Sequence, residues 1–392
     1  MPFHSVNGIV LHYRMHGTPG RPRLVFLNSL GSDLRIWDAV AERLRASHEL
    51  LFYDLRGHGL SEATPAPYSI ERHLADLCGL LDALGWTRVV PVGLSVGGLI
   101  AQAFAARHPE RVEALVLMDT AARIGTRESW NDRIAAVEGG GLGAIGGAIV
   151  ERWFGAAFRS SEPATVAGWR TMLERTSVAG YVGTCAALRD ADLTPELPAI
   201  RAPTLVIAGS EDLSTPPDLV RRTAEGIVGG RFAEIAGAGH LPCIDRPTEV
   251  AELVAAHVAG AMAAPAARYD AGMAVRREVL GEAHVERAGA AITDFDRAFQ
   301  RFITEGAWGT VWSGDHFTRR ERSIVTIALL AALGQDEEVA MHVRATVRTG
   351  ASPADIAEAL MHVAVYAGVP AANHAIKIAK ATLAQMKGEA AR

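Results

Sequence analysis

The stretch TRVVPVGLSVGG, residues 87–98, decides the fold. Its first half is an almost unbroken apolar run of strand length. From Val96 to about Arg107 the pattern turns helical, so Gly93-Leu94-Ser95-Val96-Gly97 falls on a strand-to-helix turn. The two glycines let the backbone turn sharply and let the helix approach the strand. The serine hydroxyl then projects at the sheet edge beside a helix N-terminus. A serine that merely caps the helix is the blander reading, and the strand in front of it argues against that.

Outward from this turn, RLVFLNSLG (23–31), ELLFYDLRGHG (49–59) and VEALVLMD (112–119) read as strands, with helical patterns at 37–47, 69–84 and 96–107 between them. Continuous apolar strands separated by amphipathic helices predict a mostly parallel, doubly wound sheet covered on both faces. The strand rhythm stops over residues 123–198, where Trp130, Trp153 and Trp169 lie among helical stretches around GGGLGAIGG. It resumes with APTLVIAGSED (202–212) and RFAEIAGAGH (231–240). Helices inserted there predict a mobile lid over the ligand-binding edge of the sheet. The glycine-rich piece lacks the Gly-Lys-Ser/Thr of a phosphate loop.

A closing helix at 247–262 ends a first domain, residues 1–262. The Ala/Pro-rich residues 263–272 read as a linker, and residues 273–392 as an all-helical second domain. Thr318-Arg-Arg-Glu321 and Ser352-Pro353-Ala354-Asp355 have the form of helix starts, and Gly334 and Gly350 stand where helices should stop. Two domains is also the expectation from 392 residues.

Composition fits a folded enzyme, with 49% hydrophobic and 21% charged residues. The first 262 residues carry 24 arginines against 29 acids, and the remainder balances 15 bases with 15 acids. Neither part is basic enough to suggest nucleic acid or an anionic membrane as partner. The first residues alternate like a strand and show no export signal, and the longest apolar run, residues 323–333, is too short to span a bilayer. Cys78, Cys185 and Cys243 are far apart and form no CxxC pair. A reduced, cytoplasmic protein is expected.

A serine nucleophile needs a base, and the base needs an acid to hold its tautomer. The expected chain order is serine, acid, histidine. Asp212, after the strand TLVIAG, and His240, in GAGHLP, fall at the edge where Ser95 emerges. Glu211 is adjacent but should point elsewhere, and Asp119, ending a different strand, stands as the alternative acid. The oxyanion needs two donors. The backbone N–H of Val96 supplies one and that of Leu30, in Asn28-Ser29-Leu30-Gly31, the other. His58 is read as loop support, Cys243 as packing, and Trp153 and Trp169 as lid core.

With NSLGSDLRIWD, YDLRGHGLS, GLSVGG, AGSEDLSTPP and GAGHLPCIDRP in view, residues 1–262 resemble the α/β-hydrolase fold, and within it the 3-oxoadipate enol-lactonases. Many relatives carry His-Gly where this chain has Asn28-Ser29, a departure that leaves the backbone donor intact. The resemblance implies a lactone substrate with a remote carboxylate. Arg133, near Trp130 in the lid, is the expected cation for it.

The tail, FQRFITEGAWGTVWSGDHFTRRERSIVTIALLAALG and onward to Lys380, resembles the 4-carboxymuconolactone decarboxylases. Peroxide-reducing relatives of that fold carry Cys-x-x-Cys ahead of a histidine. Gln335 and Glu338 stand there before His342, so thiol chemistry is not expected. Glu338 and His342 lie four residues apart on one helix face and are expected to couple. Glu321 has two open readings, the family's other carboxylate or the capping-box residue after Thr318. Arg322 and Arg344 are candidate carboxylate binders. Two ligands on one helix are too few for a metal site, so no metal and no cofactor is expected. Together the resemblances imply a bifunctional enzyme acting on small lactone carboxylates, associating with itself through the helical domain. The competing expectation is a serine esterase or lactonase of other specificity with an inactive helical oligomerisation domain.

Overall fold

The computed structural model describes residues 2–314 and 316–390, of which residues 263–267 and 390 are described by backbone alone. The chain divides into two compact units, Met1–Met262 and Ala263–Arg392.

The first unit is built on eight strands: β1 (Phe3–Val6), β2 (Ile9–Gly17), β3 (Arg23–Leu27), β4 (Glu49–Tyr53), β5 (Val90–Leu94), β6 (Leu115–Met118), β7 (Thr204–Gly209) and β8 (Arg231–Ile235). They form one sheet in the order β1-β2-β4-β3-β5-β6-β7-β8. β2 pairs antiparallel with β1 and β4, and every pair from β4 to β8 is parallel. The parallel strands are apolar because helices cover both faces; β5 and β7 are buried at every residue. Their ends are level. Leu27 pairs with Gly93, Leu94 with Met118, Met118 with Ile207, and Gly209 with Ile235, so the loops that follow all emerge on one edge.

Helices α1 (Asp38–Leu44), α2 (Ile70–Ala83) and α3 (Val96–Arg107) follow β3, β4 and β5. α3 is apolar nearly all round and buried along most of its length, as a helix enclosed by a sheet and other helices must be. Between β6 and β7 the helical insertion is realised as α4 (Arg127–Gly140), α5 (Gly143–Trp153), α6 (Ala156–Ser161), α7 (Pro163–Glu174) and α8 (Val178–Asp190). The glycine-rich segment makes the α4–α5 turn, with Gly141 at φ +67°, and at Gly146 it lets α5 lie against Glu174 of α7.

The unit closes with α9 (Pro217–Gly226) and α10 (Pro242–Asp245). α11 (Pro247–Leu280) then runs without a break through residues 263–272, which are therefore helical. Alanine, the strongest helix former, outweighs the proline in that stretch.

The second unit continues with α12 (Glu282–Ala290), α13 (Arg297–Ile303), a π-helical segment (Thr304–Val311), α14 (Arg319–Ala332), α15 (Asp336–Thr349), α16 (Pro353–Tyr366) and α17 (Val369–Ala390). Both expected capping boxes form, Thr318 with Glu321 and Ser352 with Asp355. Gly350 ends α15 in the left-handed conformation. Ile327, Val339, Val343, Ile356, Leu360 and Val363 share one core, and Val275, Val279, Trp308 and Trp312 another. No helix among the described residues is long and apolar enough to cross a membrane.

A Cβ on Gly97 would sit 2.3 Å from the carbonyl oxygen of Leu27, on the strand that leads into the Asn28–Leu30 loop. Gly97→Ala must therefore push α3 away from β3. The expected outcome is about 1–3 kcal/mol lost in denaturant unfolding and a larger loss of ester hydrolysis than that stability change explains; a variant with normal stability and activity would show that the close approach is not needed.

Candidate functional site

Ser95 is held at φ +57° and ψ −118°, a conformation that non-glycine residues adopt only when their surroundings impose it. Its N–H donates to the Met118 carbonyl (3.0 Å) and its carbonyl accepts from Thr120 Oγ1 (2.7 Å), so the turn is tied to the end of β6 on both sides. Gly93 and Gly97 are required because a Cβ on either would collide with backbone. The Val96 N–H follows directly at the start of α3, and Leu30 lines the same cleft as Ser95. Both expected oxyanion donors thus belong to segments beside the nucleophile.

The Asn28 side chain is fully buried. It donates to the Tyr53 carbonyl and accepts from Trp37 Nε1, both at 2.9 Å, so it braces the loop that carries Leu30. The sequence marked Asn28 as a departure from relatives but gave no sign of this role.

His240 Nδ1 and Asp212 Oδ2 are 2.8 Å apart, both nearly inaccessible. Asp212 also accepts from the N–H groups of Ser214 (2.7 Å) and Thr215 (3.2 Å) and from the Thr215 hydroxyl (2.6 Å). Burial works against its charge, but His240 and these donors prevail and hold its pKa below the ordinary carboxylate value.

Asp119 does not take the acid's place. Its Oδ1 accepts from the Gly209 N–H (2.8 Å), its Oδ2 is buried without a partner, and burial together with Asp212 raises its pKa well above the ordinary value. Of these two adjacent buried carboxyls, Asp119 is the one whose protonated form burial favours. Glu211 points to the lid, accepting from the Ala156 N–H at 2.6 Å.

Ser95 and His240 line one cleft of about 150 Å³ with Ser29, Leu30, Trp130, Arg133, Arg152 and Trp153. A larger hollow of about 680 Å³ lies elsewhere, lined by His12, Arg35 and Arg175 among others, and contains neither Ser95 nor His240; chemistry, not size, locates the site. The Arg133 guanidinium stands 5.1 Å from the Trp130 ring centre, and the indole N–H is spent on the Ile124 carbonyl (2.6 Å). Trp153, expected as lid core alone, is buried and also lines the cleft, and its carbonyl accepts from the Leu241 N–H (2.8 Å). Arg152 is a second cation of the cleft that the sequence did not single out. His58 supports its loop, its Nδ1 3.1 Å from the Arg56 carbonyl, and Cys243 is buried with its thiol pKa pushed up, a packing residue.

In the second unit the expected Glu338–His342 pair does not close. Glu338 is exposed, whereas His342 is 5% exposed with its ring 6.4 Å and 5.8 Å from those of Trp308 and Trp312 and its Nδ1 buried without a partner. Helical spacing put both residues on one face but did not fix where the side chains point. Burial, and then the nearby His284, lower the His342 pKa to about 4. The ring is therefore neutral near neutral pH.

Glu321 serves as the cap. Its carboxylate accepts from the Thr318 N–H and hydroxyl, both at 2.8 Å, on the exposed face of α14, so the capping one of its two readings is realised. Arg322 is spent on the Val311 carbonyl and lies over Phe317. Arg344 is held by Gln385 and Glu389 and lines a cleft of about 340 Å³ with His284, Arg287 and Arg348. Among the described residues no three histidines, cysteines or acids are grouped to share a metal ion.

Residues 24–253 match the alpha/beta hydrolase family. The chain belongs to that family. Residues 297–381 match the carboxymuconolactone decarboxylase family, so this alpha/beta hydrolase is fused to a second enzyme fold. The hydrolase part is similar to 3-oxoadipate enol-lactonase 2 of Acinetobacter baylyi, 34% identical over 62% of this chain and 91% of the relative. The tail is similar to 4-carboxymuconolactone decarboxylase of the same organism, 46% identical over 29% of this chain and 84% of the relative. Among solved structures, the enol-lactonase from Burkholderia xenovorans LB400 superposes with a TM-score of 0.64 at 40% identity, covering 66% of this chain and all of that one.

Two outcomes follow for this hydrolase. Asp212→Asn should lower acyl transfer to a model ester by about 10⁴-fold, because the wrong imidazole tautomer is held. Asp119→Asn should stay within about tenfold of wild type, since an amide replaces an already neutral acid; equal losses would make Asp119 the acid.

His342 has a folded pKa of about 4 against an ordinary 6.5, so its contribution to stability is complete above pH 6.5 and is lost as the pH falls toward 4. His342→Gln should remove on the order of 3 kcal/mol of that pH dependence. Unfolding curves for wild type and variant that shift in parallel over this range would contradict it.

Proposed function

We propose that the chain performs two consecutive reactions, the second unit decarboxylating 4-carboxymuconolactone to 3-oxoadipate enol-lactone and the first hydrolysing that lactone to 3-oxoadipate. The observation that carries this reading is the fusion itself. One chain joins a hydrolase similar to enol-lactonases with a fold similar to the decarboxylase whose product is their substrate.

In the first unit His240 takes the proton of Ser95 as the oxygen attacks the lactone carbonyl, and Asp212 stabilises the imidazolium. The oxyanion is met by the Val96 and Leu30 N–H groups. Collapse breaks the ring carbon–oxygen bond and expels an enolate, which His240 protonates; the enol becomes a ketone. Water, activated by the same imidazole, then releases the acyl group from Ser95. Arg133, held against Trp130 and lining the cleft, is the cation for the remote carboxylate.

In the second unit the bond from the ring carbon to its carboxylate breaks. The electron pair runs through the ring double bond into the lactone carbonyl, and a proton enters at the far carbon. The substrate carries its own electron sink, so the protein's tasks are to desolvate the departing carboxylate, stabilise the dienolate and deliver the proton. A dianion bound beside His342 supplies the negative charge that burial denies its imidazolium, which links protonation of this residue to substrate binding.

The same unit exposes Phe295, Phe299, Phe302, Leu329, Leu333, Val365, Tyr366 and Val369. A set of apolar side chains this dense favours self-association through the helical unit, the role it would keep if it were inactive.

The test is Ser95→Ala in the full chain supplied with 4-carboxymuconolactone. The expected result is release of CO₂ with accumulation of enol-lactone, followed by ultraviolet absorbance. An absence of CO₂ release from both wild type and variant, with ester hydrolysis by wild type intact, would leave the helical unit an assembly domain.

A further inference from the structure

Two half-buried arginines of the second unit, Arg276 and Arg322, form no ion pair among the described residues, and each has a buried Nε without a hydrogen-bond partner. Arg276, on the part of α11 that packs beside Trp308 and Trp312, is half-buried. Its Nε is inaccessible and has no hydrogen-bond partner, and its only side-chain bond is a long one from Nη1 to Thr304 Oγ1 (3.4 Å). Among the described residues no carboxylate forms an ion pair with it. The neighbouring arginines Arg277 and Arg319 pair with Glu282 and Glu278, both at 3.0 Å. A guanidinium taken partly out of water without an anion is unfavourable, and a bound carboxylate reverses that by accepting from its planar fork.

The groups near Arg276 are those of the decarboxylase site. Thr304, which Arg276 contacts, opens the π-helical segment that carries Trp308, and the Trp308 ring stacks with that of His342. His342 contributes another buried polar atom without a partner, its Nδ1, on a ring stacked with the two indoles. Val275 and Val279, on the same helix as Arg276, pack in one cluster with Trp308 and Trp312, so Arg276 and the His342 imidazole both adjoin that aromatic pair.

We propose that Arg276 is the carboxylate-binding residue of the second unit, its guanidinium holding the carboxylate that the lactone retains while the ring lies toward His342. This rests on the decarboxylase reading above. The retained carboxylate is the fitting one. A cation on the departing carboxylate would stabilise a charge that the transition state loses, whereas a cation on the retained one binds ground and transition states alike and positions the ring. Of the arginines first suggested by sequence, Arg344 is engaged by Gln385 and Glu389, and Arg322 donates from Nη1 to the Val311 carbonyl and lies over Phe317, whereas Arg276 has only the long bond to Thr304.

The experiment compares full-length wild type, Arg276→Gln and Arg276→Lys in two assays. One follows CO₂ release against 4-carboxymuconolactone concentration. The other measures by calorimetry the binding of the analogue whose ring double bond is reduced, which has no electron sink and cannot react. The expected result for Arg276→Gln is a loss of about 100-fold in kcat/KM carried mainly by KM, an equal loss of analogue affinity, partial recovery in Arg276→Lys, and unchanged ester hydrolysis at Ser95. KM and analogue affinity within twofold of wild type in Arg276→Gln would overturn the proposal. Should wild type bind the analogue through Arg276 yet release no CO₂, the anion site stands and the decarboxylase reading falls. Should wild type do neither, both fall.

Discussion

The hydrolase half depends on the close approach of α3 to β3 at Gly97. Only a residue without Cβ lets the helix start against the Leu27 and Asn28 carbonyls, and only with the helix there does the chain tolerate Ser95 in the left-handed region. The same contact places the Leu30 segment, because Leu27 and Asn28 lead directly into it. Nucleophile and oxyanion loop are thus set by a single packing constraint, which Asn28 reinforces from the other side through Tyr53 and Trp37. The level ends of β5, β7 and β8 do the rest, bringing Asp212 and His240 to the edge where the elbow emerges.

The two units handle charge differently. In the first, the anion is installed in advance. Asp212 is held below the ordinary carboxylate pKa by His240, Thr215 and two backbone donors, whereas burial and Asp212 raise that of Asp119. In the second, the site is cationic and incompletely satisfied. Arg276 has no ion pair among the described residues, and His342 lies beside two mutually stacked indoles with its pKa lowered. That state suits a dianionic ligand, whose binding completes the electrostatics before any bond breaks.

The sequence made the first site legible because its information is local. G-x-S-x-G between strand and helix places Ser95 at the sheet edge, and the loops after β7 and β8 bring Asp212 and His240 to the same edge. Asn28 and Arg152 were not legible as functional, since a buried brace and a cleft-lining cation depend on partners distant in the chain. The second site was legible only in part. Residue spacing on α15 said that Glu338 and His342 share a face, but the Trp308–Trp312 wall that draws one ring inward comes from another segment. The capping geometry of Glu321 follows a local rule and was readable as one of two roles; Arg276 lies beyond the residues read as a linker, in the stretch read simply as helical, and its surroundings exist only once α11 and the π-helical segment are packed.

The central claim is that one chain turns a lactone dicarboxylate into an open keto diacid by two linked reactions. The direct measurement is the stoichiometry of products when the purified full-length protein alone consumes 4-carboxymuconolactone. The account predicts one CO₂ and one 3-oxoadipate for each substrate consumed. No CO₂, or CO₂ in equal amount with unopened enol-lactone, would contradict it.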